Sequence, residues 1–266
     1  MKKILLYFIA IFFVLSVFSV NSANATVQQK ASKSKKPYTE RVYTVPTKDG
    51  HIIHAYLSYP KTKQKGYPTI IMLHSLGRNA YYWKPLQEKF NNLGFAVLRL
   101  DFRGHGKSVY DKSFHQKSWT KYKNTTFAKY PQDVIETINA IQKETRKPNF
   151  SNYAIIGSDI GANTAVLVAK QLPHKPKALV LIAPSMNFKS LYIPVAMTEI
   201  GSTPILAIAS KTDPYFMKEQ EKLAKFAQGV FDVYNTQSGQ SDMLILKQNP
   251  EVQPTIVNWV VKYFKK

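Results

Sequence analysis

Two kinds of apolar spacing alternate along this chain. Short unbroken runs of aliphatic and β-branched residues, clearest at 69–73 (TIIML), 95–100 (FAVLRL) and 178–183 (ALVLIA), have the character of strands buried on both faces. Between and after them, residues 82–93, 133–144, 162–172, 216–227 and 250–264 carry apolar residues at helical spacing, and Gly94 stands where the first of these should stop. Residues 153–156, 204–209 and 230–234 add further strands. Residues 42–45 and 52–59 read as a strand pair joined through Asp49-Gly50, a tight-turn dipeptide. Alternation of this kind predicts one α/β domain with a mostly parallel central sheet and helices on both faces. The sequence shows no internal repeat and no second domain.

The N-terminus departs from this pattern. Lys2 and Lys3 precede a 17-residue apolar run over 4–20, and Ala23-Asn24-Ala25 then supplies the small-x-small pattern that a signal peptidase reads. Residues 1–25 therefore read as an export signal directing the protein to the periplasm or outside the cell. An uncleaved membrane anchor is the alternative, because a spanning helix can be as short as ~17 residues. Residues 26–39 hold Lys30, Lys33, Lys35 and Lys36 among small polar residues and cannot bury a core, so they read as a flexible basic leader. The folded domain is expected over 40–266.

Composition then narrows the chemistry. With 37 Lys+Arg against 16 Asp+Glu in 266 residues the formal charge is +21; losing residues 1–25 removes two lysines and no acid, leaving +19. For an exported protein this charge favours anionic cell-envelope surfaces as partners over nucleic acid, for which no recognition motif is present. Cysteine is absent, which excludes disulfides, thiolate metal sites and a thiol nucleophile. No cofactor and no resident metal is expected.

Three segments carry candidate chemistry. His74-Ser75-Leu76-Gly77 follows one buried strand, Asp101-Phe102-Arg103-Gly104-His105-Gly106-Lys107-Ser108 follows the next, and Gly157-Ser158-Asp159-Ile160-Gly161 lies between a strand and a helix. In this order and at these boundaries they resemble the α/β-hydrolase superfamily, particularly its small lidless members of the dienelactone-hydrolase and carboxylesterase kind. The resemblance spans about residues 40–264. Residues 184–203 are too short a connection for a cap domain.

The resemblance implies a site. The backbone N–H groups of Leu76 and Ile160 would form the oxyanion hole, and the central elbow residue would be the nucleophile. That residue is Asp159, not serine. Haloalkane dehalogenases and epoxide hydrolases resemble this arrangement and form an ester on a carboxylate, although they carry a cap. Ser158, one place early, reads as the small residue the turn requires. Asp213, in Ser210-Lys211-Thr212-Asp213-Pro214, matches the triad acid, with a plain turn aspartate as the alternative. The loop 236–244 has Gln240, Ser241 or Asp242 roughly where the family carries its histidine. His74 and His105 lie in loops where the family's histidines are structural.

Two functional classes stay open: an active exported hydrolase of ester or related bonds using Asp159, or an esterase-like fold with weak or absent hydrolysis. The second would bind a small ester-like ligand, an anionic envelope surface, or a cation held among Asp159, Asp213 and Asp242. Tyr110, Phe114, Trp119 and Tyr122, in a lysine-rich loop, would either wall the pocket or cover the edge of the core.

Overall fold

The structure, a computed structural model, describes residues 37–265 except 63, 65 and 146. The expected export signal and most of the basic leader lie outside the described residues. Among the described residues ten strands are formed: β1 (Tyr38–Pro46), β2 (Ile52–Pro60), β3 (Tyr67–Leu73), β4 (Ala96–Leu100), β5 (Pro148–Ser158), β6 (Ala178–Ile182), β7 (Asn187–Phe188), β8 (Leu191–Tyr192), β9 (Ile205–Ser210) and β10 (Phe231–Thr236). Eight of them make one sheet in the order β1-β2-β4-β3-β5-β6-β9-β10, while β7 and β8 pair as a separate small hairpin. β1, β2 and β4 pair antiparallel, and from β4 to β10 every pairing is parallel.

Alternating side chains of the central strands feed two cores. Ile71 and Leu73 of β3 face a layer built from α3 (Tyr130–Glu144), α4 (Ile160–Gln171), α5 (Pro194–Glu199) and α6 (Pro214–Ala224), with the short α2 (Asn124–Phe127) at its edge. Ile70 and Met72 face α1 (Lys84–Asn92), α7 (Ile245–Gln248) and α8 (Val252–Lys262). Burial on both faces is why these strands read as continuous apolar runs. The 184–203 connection folds as the β7–β8 hairpin followed by α5, in place of a cap.

Chain order reverses at β3, with β4 on one side and β5 on the other. Such a switch point opens a crevice at the carboxyl ends of the strands. Its two walls are aligned by register, since Leu73 pairs with Gly157. The loop after β3 and the turn after β5 are therefore held side by side.

Several boundaries differ from expectation. β1 starts at Tyr38, inside the stretch read as leader, because its first residues pair with the end of β2. The first helical segment is split into a 3-10 turn over Ala80–Trp83, capped by the Asn79 side chain, and α1, with Pro85 in its first turn. Proline suits a helix start and not its interior.

Candidate active site

The elbow depends on two glycines. A Cβ at Gly157 would overlap the Gly161 carbonyl, and one at Gly161 would overlap the Leu73 and His74 carbonyls. Without side chains at these positions α4 can start directly against β3 and β5, and the single residue at the apex takes the strain. Asp159 has φ +56° and ψ −119°, a conformation that side-chain-bearing residues rarely adopt. This is the strand–turn–helix geometry of a nucleophile elbow.

The side chain at the apex is turned toward the loop after β3. The Leu76 N–H donates to Asp159 Oδ2 at 3.1 Å, and the Ile160 N–H also favours the ionised carboxylate. Burial outweighs these donors and, with a smaller push from Asp242, raises the Asp159 pKa to about 7, while Lys189 pulls it down. Of the two carboxylates expected beside Asp159, Asp213 and Asp242, the one that pushes on it is Asp242. Ser158 points away and is fully buried, accepting from the Ser75 hydroxyl at 2.8 Å; Ser75 Oγ in turn accepts the Met243 N–H.

Both loop histidines are occupied by backbone. The Phe102 N–H donates to His74 Nε2 at 3.0 Å, which places the proton on Nδ1, where it bonds the Ser75 carbonyl. The Gly77 N–H donates to His105 Nε2 at 3.0 Å, and His105 Nδ1–H faces the Arg103 carbonyl. Burial drives the pKa of His74 down to about 4 and that of His105 to about 3, the latter helped by His74. Neutral imidazoles fixed in this way brace the loop that carries Leu76. The Asp101 segment serves the same end: its carboxylate accepts the Ala80 and Lys107 N–H groups, and a Cβ at Gly106 would collide with it.

Asp213 stands at the start of α6, and its carboxylate makes no hydrogen bond or ion pair among the described residues. In the 236–244 loop, Gln240 is exposed, and Ser241 is buried with its hydroxyl accepting the Ser210 N–H. Asp242 pairs with Arg78 at 3.0 Å and accepts the Leu244 N–H. The three carboxylates expected to converge do not: among the described residues no group of three or more acids and histidines is placed to hold a metal ion. The aromatic loop divides. Trp119 stacks on His105 at 5.4 Å, and Tyr122 packs over Gly104, so both cover the loop from outside. Tyr110 and Phe114 are exposed in a hairpin-like turn beside His51.

These loops and strands fall within residues 64–252, over which the chain matches the family model for serine aminopeptidase, S33. The chain belongs to that family. This S33-family chain has the α/β-hydrolase fold. It is 25% identical over 131 residues to a monoglyceride lipase homolog of Monkeypox virus, covering 49% of this chain and 41% of that protein. It spans about two-fifths of the length of the curated relatives it matches. Among solved structures it is similar to an acetyl xylan esterase from Paenibacillus sp. R4, with a TM-score of 0.67 and 13% identity over 87% of this chain and 86% of that one. A dienelactone hydrolase from Anabaena variabilis gives 0.65 and 13% over 86% and 98%. At that identity the likeness to these structures is one of fold.

Two basic residues beside the elbow carry no signal of their own in the sequence. Arg78, directly after the loop that carries Leu76, reaches Asp242 in the 236–244 loop. Lys189 sits with Ser190 in the β7–β8 turn, at φ +50° and +70°. Asn163 of α4 anchors that hairpin, bonding the backbone of Ser185 and Leu191.

Proposed function

We propose that this S33-family chain is an exported, esterase-like protein whose hydrolytic activity is weak or absent, its elbow aspartate serving as an internal occupant of the oxyanion hole. The observation that carries the reading is the Leu76 N–H bond to Asp159 Oδ2. A tetrahedral intermediate needs those donors free, and acyl transfer needs a base beside the nucleophile. His74 and His105 have both ring nitrogens engaged, and Asp242 is held by Arg78. Loss of a single triad member typically costs about four powers of ten in rate.

The competing reading, a carboxylate nucleophile that forms an ester, needs an ionised Asp159 and an activated water. Against it stand the two histidines of the flanking loops, His74 and His105, whose ring nitrogens are all engaged and so are not free to activate a water. Export is supported by the 1–25 segment, and an anionic envelope surface as partner by the charge of +19 beyond it.

The test is hydrolysis of p-nitrophenyl acetate and butyrate by the protein, Asp159→Ala and Asp159→Ser. The parent and the alanine variant should both match the background rate, with at most a small gain for serine. Turnover by the parent that vanishes in Asp159→Ala would refute the proposal in favour of the nucleophilic reading.

A further inference from the structure

A second concavity lies apart from Asp159. It encloses 720 Å³ between the 3-10 turn with α1 on one side and α7 with the start of α8 on the other, and neither Asp159, Leu76 nor Ile160 lines it. That volume falls within the range of sites that take small organic ligands. Its floor is apolar, formed by side chains such as Met243 and Leu246, both almost fully buried. At its mouth Tyr81 and Tyr82 are 70% and 42% exposed, a large apolar area to leave in water without an occupant.

The charged residues that line it are of one sign. Lys89 and Lys247 line the cavity and are exposed, and no aspartate or glutamate lines it. The aromatic faces at the mouth already carry cations: Lys84 lies 5.7 Å from the Tyr81 ring centre and Arg78 5.6 Å from that of Tyr82. Arg78 and Lys84 are ion-paired with Asp242 and Glu40, which leaves Lys89 and Lys247 as the charges a guest would meet: a cation would be repelled by both and an anion attracted by both. We infer that this cavity binds a small amphiphilic anion, an apolar chain or ring ending in a carboxylate, with its body on Met243 and Leu246 and its head between Lys89 and Lys247. The inference does not depend on whether Asp159 is catalytic.

The probe is sodium decanoate, kept below its micelle-forming concentration and titrated calorimetrically into the full chain, with decyltrimethylammonium as its charge-reversed counterpart. Decanoate should bind saturably at one site, at least about tenfold tighter than the cation. The double variant Lys89→Glu/Lys247→Glu, at exposed positions, should melt within a few degrees of the parent and bind decanoate about tenfold more weakly. Leu246→Trp, which fills the floor, should lose both ligands; if it fails to fold, Tyr81→Ala at the exposed mouth serves instead and should weaken decanoate. No saturable decanoate binding, equal affinity for the cation, or an unchanged double variant would each overturn the inference. So would binding to phosphatidylglycerol vesicles without binding to monomeric decanoate, which would make the patch a membrane contact.

Discussion

Replacing Asp159 by asparagine keeps the shape of the elbow residue and removes its charge. The folded protein holds this carboxyl at a pKa of about 7 against an ordinary value of 3.8. Below pH ~4 both folded and unfolded chains carry it protonated, and the site contributes no penalty. As pH rises through the unfolded value, the unfolded chain releases the proton and the folded chain retains it, so stability falls; above pH ~7 both are ionised and the penalty is constant. A shift of about three pH units at ~1.4 kcal/mol each sets a ceiling of ~4 kcal/mol. Asp159→Asn should therefore match the parent at pH 4 and exceed it at pH 8, by a difference that grows between those limits. Urea unfolding of both proteins at pH 4, 6 and 8 measures this directly, because titrations elsewhere in the chain cancel between the two. A difference independent of pH, or an asparagine variant less stable at pH 8, would show that the donors of the hole outweigh burial.

Two further substitutions probe the same frame. Lys189→Met removes a charge that lowers the Asp159 pKa and Asp242→Asn one that raises it, so carboxyl carbon NMR should find the Asp159 titration moved up in the first variant and down in the second. Gly161→Ala drives a methyl group into the Leu73 and His74 carbonyls and should cost roughly 3 kcal/mol or more, read as a fall in the urea midpoint.

What the sequence made legible follows from where each signal is encoded. The buried strands and long helices were readable because one-dimensional spacing reflects faces that are covered on one or both sides. The start of α1 was not, because Asn79 and Pro85 redirect the chain through a 3-10 turn that helical spacing runs across. The β7–β8 hairpin was missed for another reason: its turn uses Lys189 and Ser190 at positive φ, where glycine or asparagine would have announced it. At the site, Leu76 comes from one motif and Asp159 and Ile160 from another far along the chain, and the register of β3 against β5 brings them together. Asp213 sits at the matching turn, but its carboxylate makes no hydrogen bond or ion pair among the described residues. Arg78 and Lys189 are ordinary basic residues in a chain full of them; only the tertiary fold sets them beside Asp242 and Asp159. An arginine one residue beyond Gly77, with an unexplained acid in the opposite loop, was the available signal.

The bond from Leu76 to Asp159 makes the hole a receptor that carries its own tethered ligand. A visiting carbonyl or anion competes with an acceptor fixed at an effective concentration of at least about millimolar, and with a charge-assisted hydrogen bond where a neutral carbonyl offers a weaker one. Protonation alters that contest, since a neutral carboxyl is the poorer acceptor. On the proposed reading, an external anion should enter with proton uptake near neutral pH, and the hole should become easier to occupy as its surroundings turn acidic.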